Sequence, residues 1–136
     1  MTTIESNEAL VNKSAQDVYN FLSDFRNFEK LMPEQVVNWK ADENECSFTI
    51  KGMASLGMKI KNKVPNSLIE IESSGKTPFG FVMKCMIADR QTQCGVKLAI
   101  EADLNPMLKM MAEKPLTNFL NLLVNKLAEE IGRAHV

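Results

Sequence analysis

The stretch Leu10-Val11-Asn12-Lys13-Ser14-Ala15-Gln16-Asp17-Val18-Tyr19-Asn20-Phe21-Leu22-Ser23-Asp24 changes its hydrophobic period partway along. Its start closes an extended run, Thr3 to Val11, that reads as a weak strand. Asn12 and Lys13 lead into Ser14, and Ser-Ala-Gln-Asp is a capping-box-like helix start with an acid at the third position. Val18, Tyr19, Phe21 and Leu22 then form one apolar stripe at helical spacing, opposite Gln16, Asp17, Asn20 and Ser23, as a short helix lying on a sheet requires. Asp24 is expected to end it. Asn27 is placed to cap a second brief helix from Phe28 to Met32, which Pro33 stops because proline disfavours helical geometry in the residue before it.

Downstream, from Val36 to Asp103, the period becomes two and turn clusters recur, which predicts six consecutive antiparallel strands. Val37, Trp39 and Ala41 alternate with Asn38 and Lys40, and Cys46, Phe48 and Ile50 with Ser47, Thr49 and Lys51, so a hairpin facing Trp39 with Phe48 is expected. Leu56, Met58 and Ile60 oppose Ser55, Lys59, Lys61 and Lys63, and the Val64-Pro65-Asn66-Ser67 turn leads to a strand from Leu68 to Ser73. Pairing Lys61 with Glu70, Ile60 with Ile71 and Lys59 with Glu72 would place opposite charges together outside and isoleucines together inside. Phe79, Phe81, Met83, Cys85 and Ile87 share one side of the sixth strand, and Cys94, Val96, Leu98, Ile100 and Ala102 one side of the seventh. Gly52, Gly57, Gly80 and Gly95, in or beside strands, suggest strong curvature.

The last element reads as helical: Asn105 and Pro106 suit a start, Met107, Leu108, Met110 and Met111 supply apolar mass before Pro115 is expected to interrupt, and the main helix is expected to begin near Pro115. Leu116, Phe119, Leu120, Leu123, Leu127 and Ile131 run along one face for about 25 Å, and Gly132 suits the end. No repeat, linker or low-complexity tract divides residues 1–136, so a single domain is expected. The element order predicts an α+β fold: a curved seven-stranded antiparallel sheet wrapped around a long C-terminal helix, with two short helices between strands 1 and 2.

This order, and the residue pattern from Val11 to Pro33, resembles the opening of SRPBCC proteins: a strand, a Pro or Ser with Ala, a helix bearing an aromatic, then Leu-x-Asp. That superfamily includes START lipid-transfer domains, birch-pollen-allergen-like proteins, polyketide cyclases/dehydratases and coenzyme Q-binding proteins. The resemblance implies a helix-grip fold, and its residue pattern is structural rather than catalytic.

Sixteen basic against seventeen acidic residues, net −1, supply no field for gathering polyanions, which argues against nucleic-acid partners and adhesion to anionic membranes. The N-terminus carries Glu5 and Glu8 and no apolar run of signal length, and Phe119 to Ala128 is far too short to span a bilayer, so a cytoplasmic protein without an integral membrane segment is expected. Cys46, Cys85 and Cys94 are odd in number and spaced unlike a zinc motif, so reduced, packed thiols are expected and no metal. The one histidine, His135, lies next to the C-terminus and is a poor catalyst candidate. Dinucleotide, phosphate-loop, zinc and nucleophile-elbow motifs are absent. Glu70, Glu72, Glu101 and Asp103 fall at outward positions or strand ends and, with the lysines around Lys59, are read as solvated faces; Asn62 either meets water at a hairpin end, the favoured reading, or offers an amide to a ligand, and Tyr19 either rests its ring on the sheet, again favoured, or aims its hydroxyl into the cavity.

Met58, Met83, Met107, Met110 and Met111 are expected around the concavity, where methionine either walls an adaptable apolar pocket or fills gaps in an ordinary core. The leading expectation is a binding module for a small hydrophobic molecule, a lipid, quinone or polyketide-like compound, held between sheet and C-terminal helix. Its ligand-contacting residues would be Trp39, Phe48, Met58, Phe81, Met83, Met111 and Phe119, with no catalytic residue and no cofactor. Two alternatives stay open: a polyketide cyclase/dehydratase-like enzyme, and a protein-interaction module with a filled core, with room for a homodimer.

Overall fold

Residues 1–75 and 77–132 are described by the computed structural model; His135 lies outside them. The strands are β1 (Thr2–Glu5), β2 (Ala9–Val11), β3 (Val36–Ala41), β4 (Glu45–Ile50), β5 (Ala54–Val64), β6 (Leu68–Ser73), β7 (Phe81–Arg90) and β8 (Gln93–Ala102). The helices are α1 (Ala15–Leu22), α2 (Phe25–Phe28), continued by a 3-10 turn (Glu29–Leu31), and α3 (Pro106–Gly132). One antiparallel sheet runs β1-β8-β7-β6-β5-β4-β3, with β2 also paired to β8. This is the α+β, curved-sheet-and-helix architecture the sequence predicts.

The first strand is two strands rather than one. Glu5 faces Ala99 and Ala9 faces Val96, so three residues of the first strand oppose two of β8, and the ladder breaks at Ser6. Its buried hydroxyl takes the place of a ladder carbonyl: it accepts from Leu98 N at 2.9 Å, while Ser6 N donates to Leu98 O at 2.8 Å. Beside the break, Asn7 N donates to Asn121 Oδ1 at 2.8 Å and ties the sheet to α3.

Ser14 caps α1, accepting from Asp17 N at 3.1 Å. Asp24 does more than end that helix: its carboxylate accepts from Arg26 N at 2.9 Å and so starts α2. The second helix therefore begins three residues before the expected position. Asn27 is not its cap but donates from Nδ2 to Phe21 O at 3.0 Å, locking α1 to α2. Their inward residues Val18, Leu22, Phe25 and Phe28 are buried, with α1 over β6 and β7.

Lys59 faces Glu72 and Ile60 faces Ile71 as expected, but the register then shifts and Asn62, not Lys61, faces Glu70. A bulge at Lys61 ends the inside-outside alternation, so Asn62 is exposed and donates to Glu70 at 3.3 Å. The slip is confined to the hairpin end, where no core face constrains it. A second bulge sets Asn38 and Trp39 against Phe48, which brings the Trp39 and Phe48 rings to 5.3 Å. At Gly57 any Cβ would overlap Ser74 O, because the chain just past β6 stays against β5, with Ser74 N donating to Gly57 O at 2.8 Å.

Pro115 does not interrupt α3. The helix runs unbroken from an Asn105 cap, whose Oδ1 accepts from Leu108 N at 2.9 Å. Proline removes one ladder donor, but at Pro115 the carbonyl it deprives belongs to exposed Met111, on a side of the helix not packed on the sheet. The face bearing Leu116, Leu120, Leu123, Leu127 and Ile131 is buried as α3 crosses β1, β2 and β8.

Candidate functional site

The space enclosed by the sheet and α3 is filled. Phe48, Met58, Phe81, Met83 and Phe119, five of the expected ligand-contacting residues, meet Leu56, Phe79, Ile100 and Leu116 around a residual void of about 10 Å³. That is the room of a single water molecule. Phe48 stacks on Phe119 with centroids at 6.3 Å, and Phe79 lies 5.9 Å from Phe81. Trp39 packs on Phe48 at the next position outward, and its indole Nε1 is buried without an acceptor among the described residues.

The open space lies at the end of this core, where the first turns of α3 lift away from the sheet. A cleft of about 390 Å³ opens there, within the range that small-molecule sites occupy. Ile50, Phe79, Ala112 and Phe119 form its buried floor. The loop residues Pro33 and Gln35 and the Lys51-Gly52-Met53 turn form one wall, Pro78 another, and Leu108, Met111, Pro115, Asn118 and Leu122 of α3 the third. Pro33, Pro78 and Pro115 present apolar ring atoms and no N–H donor, so these walls repel water and offer it few partners.

Hydrogen bonds hold the walls in place. Lys51 N donates to Gln35 O at 2.8 Å and Met53 N to Ile50 O at 3.0 Å, pinning the β4–β5 turn against the loop before β3. Gly52 at its apex has φ +78°, a left-handed conformation that suits glycine. Thr77 Oγ1 donates to Phe79 O at 2.8 Å and fixes the loop that carries Phe79 into the floor.

Of the seven expected contacts, Phe119 and Met111 line this cleft; Phe48, Met58, Phe81 and Met83 belong to the closed core behind it, and Trp39 to neither. The methionines divide in the same way. Met58 and Met83 are buried, whereas Met107, Met110 and Met111, expected around the concavity, are 71%, 86% and 68% exposed. The helix carrying them begins at Pro106 and reaches the core only from Ala112 onward, so its first turns overhang the mouth. Sequence reasoning missed Ile50, Met53, Leu108 and Leu122. Leu108 and Leu122 carried a usable signal, being apolar residues off the buried stripe of α3.

The chemistry of the remaining molecule is quiet. Burial pushes the Cys46 and Cys85 thiols up to about 12 and raises Cys94, so all three stay protonated. On the outer sheet face Lys59 pairs with Glu72 at 3.5 Å, Lys84 with Glu101 at 2.9 Å and Lys97 with Glu5 at 3.5 Å. Among the described residues no three His, Cys, Asp or Glu side chains gather as a metal would require, and no helix is long and apolar enough to cross a membrane.

No family model and no curated protein matches the chain. Solved structures do. The protein XoxI from Bacillus cereus is similar with a TM-score of 0.78 at 7% identity, covering 100% of this chain and 99% of that one. The di-domain ARO/CYC BexL from the BE-7585A biosynthetic pathway is similar with a TM-score of 0.75 at 14% identity; 96% of this chain matches 46% of BexL, which carries two domains. Norcoclaurine synthase from Thalictrum flavum, solved with dopamine and hydroxybenzaldehyde, gives 0.70 at 15% identity, over 94% of this chain and 84% of the synthase. At such identities the likeness is one of fold alone, a helix-grip architecture of curved antiparallel sheet and long C-terminal helix.

Proposed function

We propose that the protein binds or carries a small hydrophobic molecule, of lipid, quinone or polyketide-like character, as a single cytoplasmic domain. The observation that carries this reading is the contrast between a core closed to about 10 Å³ and an apolar cleft of about 390 Å³ at its mouth. The ligand seats on Phe119, Ile50, Phe79 and Ala112 and is covered by Met111 and Leu108, not enclosed by Phe48, Met58, Phe81 and Met83. Met111 is unbranched and exposed, so it can follow ligands of different outline. The likeness to BexL and to norcoclaurine synthase supports a helix-grip scaffold that accepts organic ligands.

The cyclase- or dehydratase-like enzyme remains the rival from another class. It needs a positioned acid or base, and among the described residues that line the cleft Lys51 is the one titratable side chain, with Gln35 and Asn118 as neutral polar groups. Native mass spectrometry of protein from a lipid-rich cell, followed by solvent extraction, tests the binding reading. A stoichiometric added mass that Ala112→Trp removes supports it. An apoprotein with no added mass, sedimenting as a dimer that Met110→Glu dissociates, favours the protein-interaction module instead.

A further inference from the structure

The charge around the cleft is one-sided. Lys51 is the single charged side chain among the described residues lining it, and no carboxylate joins it there. On the outer sheet face Lys59, Lys84 and Lys97 each meet a glutamate. Lys51 makes no ion pair with another described residue. Glu34 shares with Lys51 the lining of a shallow groove outside the cleft, without forming an ion pair with it. The backbone of Lys51 is pinned to Gln35 O, which holds the residue at the lip, within side-chain reach of the apolar floor.

An exposed lysine is ordinarily a solvated charge. Here it stands over an apolar cleft with two neutral amides, Gln35 and Asn118, and no competing anion in the lining. The geometry points to a ligand with an apolar body and one anionic head, a monocarboxylate or its equal in charge, whose head meets Lys51 while the body lies on Ile50, Ala112 and Phe119. This rests on the cleft being the ligand site. At roughly 30 Å³ per non-hydrogen atom, a water's share of liquid volume, a cleft of about 390 Å³ holds a body about the size of a ten-carbon chain with its head. A charge-assisted hydrogen bond between Lys51 and the head favours the anion over its neutral analogue by about tenfold.

The test is displacement of the neutral fluorophore N-phenyl-1-naphthylamine from the full chain by decanoate, 1-decanol and decylammonium. The expected result is that decanoate displaces the probe at about a tenth of the concentration 1-decanol needs. Lys51→Met should abolish that difference and leave 1-decanol unchanged, and Lys51→Glu should move the preference to decylammonium; unaltered thermal melting shows that both variants fold. Decanoate and 1-decanol competing equally in the wild type, or a preference surviving in Lys51→Met, overturns the inference while the cleft reading stands if Ala112→Trp abolishes probe binding. Failure of the probe and of all three amphiphiles to bind overturns both.

Discussion

Ser6 shows how one side chain decides the course of a strand. Its hydroxyl accepts from Leu98 N and donates to Asn7 O at 2.8 Å, inside the core. Ser6→Ala leaves the Leu98 amide without its acceptor, and an orphaned buried donor costs about 1–3 kcal/mol. Urea unfolding should show that loss as a lower midpoint with an unchanged slope. Asp24 works at the surface. The Arg26 guanidinium bonded to its carboxylate, together with the Arg26 amide, holds its carboxyl below the ordinary range. A depressed folded value means the contribution is present above the ordinary carboxylate range and is lost as pH falls through the folded value. Asp24→Asn keeps the cap but not the charge, so wild type should be slightly more stable at neutral pH and the two should converge in acid. The ion pair is exposed, so the gap is small and shrinks with salt.

At the scale of elements, two helix caps that look alike in sequence have different consequences. Ser14 caps α1, which lies over β6 and β7; Asn105 caps α3, whose first turns carry Leu108, Met111 and Ala112 into the cleft wall. Either cap changed to alanine should cost about 1 kcal/mol. Only Asn105→Ala should also weaken probe binding in the cleft, since fraying that turn loosens the wall; Ser14→Ala is the control, measured by the same titration. Both capping residues were legible because a cap is a local signal. The break at Ser6, the bulge at Lys61 and the continuity of α3 through Pro115 were not. Each is set by what lies across from the residue: Leu98 for Ser6, an unconstrained hairpin end for Lys61, and for Pro115 an exposed helix side at the cleft that no strand packs against.

For the molecule as a whole, closed core and open cleft make opposite predictions for two sets of variants. Met83 and Phe81 sit in the filled interior, so Met83→Gln or Phe81→Gln buries an unpartnered amide and should destabilise by about 1–3 kcal/mol, with ligand binding falling only as the fold does. Ala112→Trp fills the floor of the cleft and should abolish probe binding; because Ala112 is buried, the overpacking should also cost about 1–3 kcal/mol, less than is needed to unfold the domain. In the wild type, saturating ligand should raise the melting temperature; in Ala112→Trp it should not.

The sequence by itself determined the order of elements, the inward faces of β6, β7 and β8, the single-faced stripe of α3 and hence the helix-grip fold, because periodicity and caps are written in neighbouring residues. Only the tertiary structure decided where empty space lies. Aromatic and methionine side chains on an inward face read alike whether they line a pocket or fill it. The difference depends on how Phe48, Phe81, Met83 and Phe119, distant along the chain, pack against one another. It depends equally on the overhang of the α3 turns before Ala112, which leaves the cleft, with Lys51 at its lip, as the open space beside the core.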